Sequence, residues 1–144
     1  MEAKQASRYD LTKLFERPAK RMKVEYRNAG SSVAEARKYF LGLLNRQQVV
    51  AFREGERALA VLGWDDSDGV MDTSFVAVEE YFDVRYVRFL RRYVRQFQSE
   101  RGGLEITSNS FSEDPRTPKW FKMLGFQLST TDGVHRIYVL PATA

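Results

Sequence analysis

The stretch Lys119-Trp120-Phe121-Lys122-Met123-Leu124-Gly125-Phe126 decides how this chain is read. Pro118 suits the first turn of a short helix, Pro118 to Leu124, and Gly125 suits its left-handed end. Two strand-like runs follow, Phe126 to Thr130 and Val134 to Leu140, joined across Thr131-Asp132-Gly133 as a hairpin with Asp-Gly at its tip. A β-like run, Leu104 to Ser108, precedes the helix. Between them, Asn109 to Thr117 is a loop with turn chemistry at Asp114-Pro115.

Working toward the N-terminus, Val84 to Gln98 is the clearest helix. Val87, Leu90, Val94 and Phe97 form its apolar seam, and Gly102-Gly103 ends it. Met71 to Val78 is apolar-rich and reads as a largely buried strand. The helix crossing from it to Leu104–Ser108 makes those two strands parallel. Gln48 to Phe52 and Ala58 to Trp64 form a hairpin around Glu54-Gly55-Glu56, and Asp65 to Gly69 is a polar loop. Ser32-Val33-Ala34-Glu35 is a capping box opening a helix from Val33 to Leu44, with Val33, Ala36, Phe40 and Leu43 at helical spacing. Residues 1–30 are basic and polar, with Pro18 interrupting a short helix from Asp10 to Glu16. They are expected as an arm or entry segment ahead of a single domain over 31–144. The order is helix, hairpin, strand, long helix, strand, short helix, hairpin.

At 144 residues the chain is long enough to bury a core without staples. It is 43% hydrophobic and 13% aromatic, which is a globular rather than a disordered composition. With no cysteine, thiol catalysis, disulfides and Cys-ligated metal are excluded, and a reducing cytoplasm suits the chain. No apolar run approaches the ~20 residues that span a bilayer. Met1 to Asp10 lacks an apolar signal core, so export is not expected. Net charge is +4, and its distribution matters more than its size. Val84 to Arg101 holds six arginines (Arg85, Arg88, Arg91, Arg92, Arg95, Arg101) against Glu100 alone, so the remainder is close to neutral. Such a local basic surface attracts phosphates.

The element order, with Phe121-Lys122-Met123-Leu124-Gly125-Phe126, resembles the GNAT superfamily of N-acetyltransferases, whose members often end their fourth helix in Tyr-x-x-x-Gly-Phe. The resemblance covers about Val49 to Leu140. The chain is also similar to small GNAT-like proteins of short-tailed phages, some of them minor virion components. The resemblance implies a mixed α/β fold, a central sheet flanked by helices with a splayed pair of parallel strands. It implies acetyl-CoA along the fourth strand, against Phe75, Val76, Ala77 and Val78. It places the pyrophosphate at the following turn, Glu79 to Arg88, over backbone N–H groups at a helix N-terminus.

Two positions depart from the family pattern. The turn contains no glycine and carries Glu79, Glu80 and Asp83, with Arg85 and Arg88 left to pair phosphate. Phe121 stands where the family's proton-donating Tyr would be, and Asp114 where an Asn often lies. Ser108, Asn109, Ser110 and Ser112 are alternative donors. Asp72, Glu79 and Glu105 are candidate bases for an attacking amine; exposed acids being the default, each also reads as a solvated strand-end carboxylate. His135 has no Cys or second His beside it, which favours a structural or surface role. Trp120 and Phe126 read as core, and Trp64 as core or cleft edge.

Three functions follow. The first is an acetyl-CoA-dependent N-acyltransferase acting on a primary amine by direct attack, with catalytic candidates Asp72, Glu79 and Ser110. The second is a phage-encoded GNAT scaffold without that chemistry, binding a host protein or virion component. The third is nucleic-acid binding through Arg88, Arg92 and Arg95. The expected location is the cytoplasm of a bacterium or infected host, or the virion, without a membrane partner.

Overall fold

The computed structural model describes residues 1–143. Its elements are β1 (Glu2–Gln5), α1 (Arg8–Glu16), α2 (Lys20–Asn28), α3 (Val33–Asn45), β2 (Val49–Glu54), β3 (Arg57–Asp65), β4 (Met71–Ala77), α4 (Val87–Glu100), β5 (Ile106–Ser110), α5 (Thr117–Leu124), β6 (Gln127–Asp132) and β7 (His135–Leu140). Two 3-10 turns, Glu79–Phe82 and Val84–Tyr86, lead into α4. The seven strands form one sheet in the order β1-β2-β3-β4-β5-β7-β6. All neighbours are antiparallel except β4 and β5, the parallel pair that the crossing helix required.

Strand alternation divides the core between the two faces. Val49, Ala51, Val61 and Val76 meet Leu11, Leu14, Phe40 and Leu43 of α1 and α3. Phe52, Leu62, Met71 and Ile106 meet Leu90, Phe97, Phe121 and Leu124 of α4 and α5. On β3, a Cβ at Gly63 would stand 2.6 Å from the Leu43 side chain and 3.2 Å from Phe40, so glycine lets α3 approach closely. Gly125, at φ 100, closes α5 in the left-handed conformation. Phe126 N–H donates to the Phe121 carbonyl at 3.0 Å, which turns the chain straight toward β6.

Residues 1–30, expected as an entry segment, are built into the fold. β1 pairs with β2 in register Glu2↔Arg53 to Gln5↔Val50. Ser7 and Asp10 form a capping box on α1, and buried Asp10 is paired with Arg53 of β2. Short helices carry too few turns for their period to stand out, so the anchoring shows only in three dimensions. Further boundaries move. Thr131 and Asp132, expected in the last hairpin loop, pair with Arg136 and His135 as part of β6, which leaves Gly133-Val134 as the turn. The strand expected over Leu104–Ser108 runs from Ile106 to Ser110, and the N-terminal turn of the expected Val84–Gln98 helix is 3-10. Among the described residues no helix is long and apolar enough to cross a membrane.

Candidate functional site

β4 and β5 pair at only three positions, Met71↔Ile106, Asp72↔Thr107 and Thr73↔Ser108, and then diverge. Met71 N–H donates to Glu105 O at 2.8 Å and Val78 N–H to Leu59 O at 3.0 Å. Odd-numbered residues of β4 therefore turn their backbone groups toward β5, and even-numbered ones toward β3. Phe75 and Ala77 face the opening, and both carbonyls are taken. Ala19 N–H donates to Ala77 O at 2.7 Å, and the Tyr26 hydroxyl donates to Phe75 O at 3.3 Å. At its other end α2 reaches the chain leaving β5. Glu25 accepts from Phe111 N–H at 2.9 Å, and Asn28 Nδ2 donates to Phe111 O at 3.0 Å. The α1–α2 connection and α2 thus lie along the splay.

Aromatic rings fill the interior of the splay. Trp120 lies 5.6 Å from Phe75, 5.8 Å from Tyr81 and 5.3 Å from Phe82, centroid to centroid. The void left here, bounded by Thr73, Phe75, Tyr81, Ser108 and Trp120 and continuing between the sheet and the Leu90, Phe97 and Leu124 side chains, is about 30 Å³. Outside it, the Arg21 guanidinium sits 3.7 Å over the Phe82 ring and pairs with Glu79 at 2.5 Å. Arg116 approaches Glu79 at 3.7 Å and binds Asp114 at 2.6 Å. That hydrogen bond from Arg116 holds the Asp114 carboxyl at about 2. Arg21, Glu79, Arg116 and Asp114 so tie α2, the turn before α4 and the start of α5 together.

The turn before α4 spends its amides internally. Tyr81 N–H bonds Val78 O, Asp83 N–H bonds Glu80 O, and Tyr86 N–H bonds Asp83 O. The Asp83 carboxylate accepts from Arg85 N–H at 2.9 Å, so an acid already caps the position of an anion cradle. Glu80 pairs with Arg57 at 3.2 Å, and its own backbone N–H, then Arg57, hold its carboxyl below the usual range. Arg85 is held by Asp83 at 3.8 Å; Arg88 is exposed. Where the resemblance places acetyl-CoA, the Phe75 and Ala77 carbonyls each accept a hydrogen bond from the chain itself, aromatic rings fill the cleft, and Asp83 caps the Val84–Tyr86 turn, while the N-terminus of α4 carries no side-chain cap.

The structure does not gather the three catalytic candidates. Asp72 lies on the α3 face, accepting from Thr107 Oγ1 at 3.0 Å and Asn109 Nδ2 at 3.2 Å; burial pushes its carboxyl up. Asn109 continues to His135 Nε2 at 2.8 Å, and the His135 ring stacks on Phe111 at 4.3 Å. Ser110 is buried on the opposite face and accepts from Ser112 N–H at 3.3 Å. Glu79 lies past the far end of β4, about 23 Å of strand from Asp72. Glu105 immediately precedes β5. Ser112 shares a hydrogen bond with Thr117 at 2.8 Å. Phe121 is buried and stacked on Tyr138 at 4.1 Å, and Trp64 is core against Phe97 at 5.0 Å.

Three residues at the splay, Arg21, Glu25 and Tyr26, were not singled out from the sequence. Glu25 is a half-buried carboxylate. Burial pushes it up, against the Phe111 N–H, the Ser110 hydroxyl and Arg21, which favour its charge. Met22 and Tyr26, four residues apart on one helix face, were the available signal. Among the described residues no group of three or more His, Cys, Asp or Glu is placed to hold a metal.

No family model matches the chain, and neither does any curated protein. Solved structures do. A PaiA N-acetyltransferase from Thermoplasma acidophilum in complex with coenzyme A is similar with a TM-score of 0.76 at 16% identity, over 99% of this chain and 98% of that one. A ribosomal-protein-alanine N-acetyltransferase from Brucella melitensis reaches 0.66 at 10% identity, covering 98% and 99%. An N-acetyltransferase from Staphylococcus aureus reaches 0.66 at 10% identity, covering 97% of each. The chain has the fold of the GNAT acetyltransferases, from its first strand to its last. At these identities the likeness is one of fold.

Proposed function

We propose that this chain is a GNAT-fold binding protein. Its cofactor groove is occupied by its own α2, and it acts through its surface on a macromolecular partner. The observation that carries this reading is the pair of hydrogen bonds from Ala19 N–H and the Tyr26 hydroxyl to the β4 carbonyls at the splay. The aromatic packing behind them, the Asp83 cap and the buried Phe121 support it. If the resemblance of the sequence to phage GNAT-like proteins carries over, a component of the infected host or of the virion is the setting for the partner. The competing reading is an acetyl-CoA-dependent N-acyltransferase acting on a primary amine. What supports it is that the solved structures of this fold named above are N-acetyltransferases.

Calorimetry and thermal shift with acetyl-CoA separate the two. A ligand present at a hundredfold over its Kd stabilises by about 2.7 kcal/mol, which moves the Tm of a chain this size by several degrees. At millimolar acetyl-CoA we expect no binding heat and no shift. A shift of several degrees restores the acyltransferase reading.

A further inference from the structure

We infer that the exposed arginine stripe of α4 is a docking surface for the phosphate backbone of a duplex nucleic acid. Arg88, Arg91, Arg92 and Arg95 stand at i, i+3, i+4 and i+7, which places them within a sector of about 100° on the helix. The seam of Val87, Leu90, Val94 and Phe97 is turned into the core, and all four arginines are exposed. Among the described residues none of the four takes part in a salt bridge. The neighbouring arginines behave otherwise: Arg85 pairs with Asp83, and Arg101 pairs with Glu100 and stacks on Phe97 at 3.7 Å.

Folding gives no reason for this arrangement. Like charges three and four residues apart repel along a helix, so the stripe opposes the stability of α4. Its chemistry matches an external anion instead. All four cations are arginine, whose planar guanidinium pairs phosphate bidentately. From Arg88 to Arg95 the stripe runs about 10.5 Å along the helix axis. A duplex strand presents a phosphate every ~3.4 Å of its own axis, so the stripe spans about three such intervals, enough to meet about four phosphates. Arg95 extends toward α5, its guanidinium 3.5 Å from where a Cβ on Gly125 would stand.

Other occupants fit less well. A single strand is held by stacking on exposed aromatics, but Phe89 and Tyr93 pack against Phe52. A membrane surface calls for a row of exposed apolar side chains. Val84 alone is exposed near the stripe, and Tyr9, Tyr39 and Leu128 lie on other elements. An acidic protein partner would be met by aromatic anchors among the charges, and the stripe has none. This inference names the partner that the closed-groove reading leaves open. It stands on different residues, so acetyl-CoA titration tests one and nucleic-acid titration the other.

The test is fluorescence anisotropy of the full chain with a labelled duplex DNA of ~20 base pairs, a length many times the ~10.5 Å stripe. With four phosphates engaged, affinity should fall roughly a hundredfold between 50 and 200 mM salt. Changing Arg88, Arg91, Arg92 and Arg95 to Gln should remove most of that salt dependence and most of the low-salt affinity. Changing Arg37 and Lys38, exposed on α3, to Gln should leave both as they were. Circular dichroism confirms that each variant is folded. No binding at 50 mM salt, equal binding by the fourfold variant, or capture of anionic vesicles or an acidic polypeptide in place of DNA overturns the inference.

Discussion

Residues 79–86 and residues 88–95 adjoin in sequence and use charge in opposite ways. In the first segment Glu79 is held by Arg21 and Arg116, Glu80 by Arg57, and Asp83 by Arg85. The Glu79 and Glu80 pairs join the turn to α2, to the start of α5 and to β3, so those charges act as fasteners, and Asp83–Arg85 closes the turn on itself. In the second, four arginines face solvent, and among the described residues none of them forms a salt bridge. The turn is the place where this fold would receive a cofactor, and here it is closed from within. The helix that follows is open, and its charge is uncompensated. On the two proposals above, binding in this chain belongs to the helix face rather than to the groove.

The closed side breaks most readily at Ala19. Its φ of −54 is one that proline adopts, so Ala19→Pro removes the donor and keeps the local conformation. Ala77 is fully buried, and its carbonyl would lose its partner at a cost of about 1–3 kcal/mol. A lowered urea midpoint is expected. An unchanged midpoint would mean that the contact does not hold α2 in the splay.

Glu25 sharpens the comparison through pH. Burial raises its carboxyl above the unfolded value of 4.5. The folded protein therefore takes up this proton first. The contribution of the site is full below the unfolded value and lost as pH rises through the folded one. Glu25→Gln keeps an acceptor for Phe111 N–H without the buried charge. It should melt a few degrees higher than the parent chain at pH 7, with the gap closing as pH falls toward 4.5. A gap that stays constant with pH would place its cause elsewhere.

The smallest effect is expected on the open side. The fourfold Arg→Gln change on α4 relieves four like-charge pairs, worth about 1 kcal/mol together at low salt. Stability should rise slightly in dilute buffer and match the parent in 1 M salt, where such repulsion is screened. A loss of stability instead would make the stripe structural.

How much was legible in the residues depends on the distance over which each interaction acts. The α5 end was readable because a Schellman-type close is made by neighbours, Phe121, Gly125 and Phe126. The arginine stripe was readable because helical spacing alone places its members on one side. Asp72 and Ser110 were grouped as catalytic candidates, but their separation onto opposite faces depends on strand register, with Asp72 beside Thr107 and Thr73 beside Ser108. α2 was hidden most fully. Its hydrogen bonds reach Phe75, Ala77 and Phe111, and nothing within residues 20–28 signals those partners.

By itself, then, the sequence determined the order of elements, the parallel crossing from β4 to β5, the glycine-free turn, the missing Tyr and the arginine-rich face of α4. Local caps, side-chain periods and residue identity decide these. Only the tertiary structure decided that the first 30 residues complete the sheet and close its splay, and that Glu79 is a fastener. It alone showed that, among the described residues, Arg88, Arg91, Arg92 and Arg95 form no salt bridge. Those outcomes depend on which distant groups meet, and pairing between remote carbonyls, phenols and guanidiniums leaves no periodic trace along the chain.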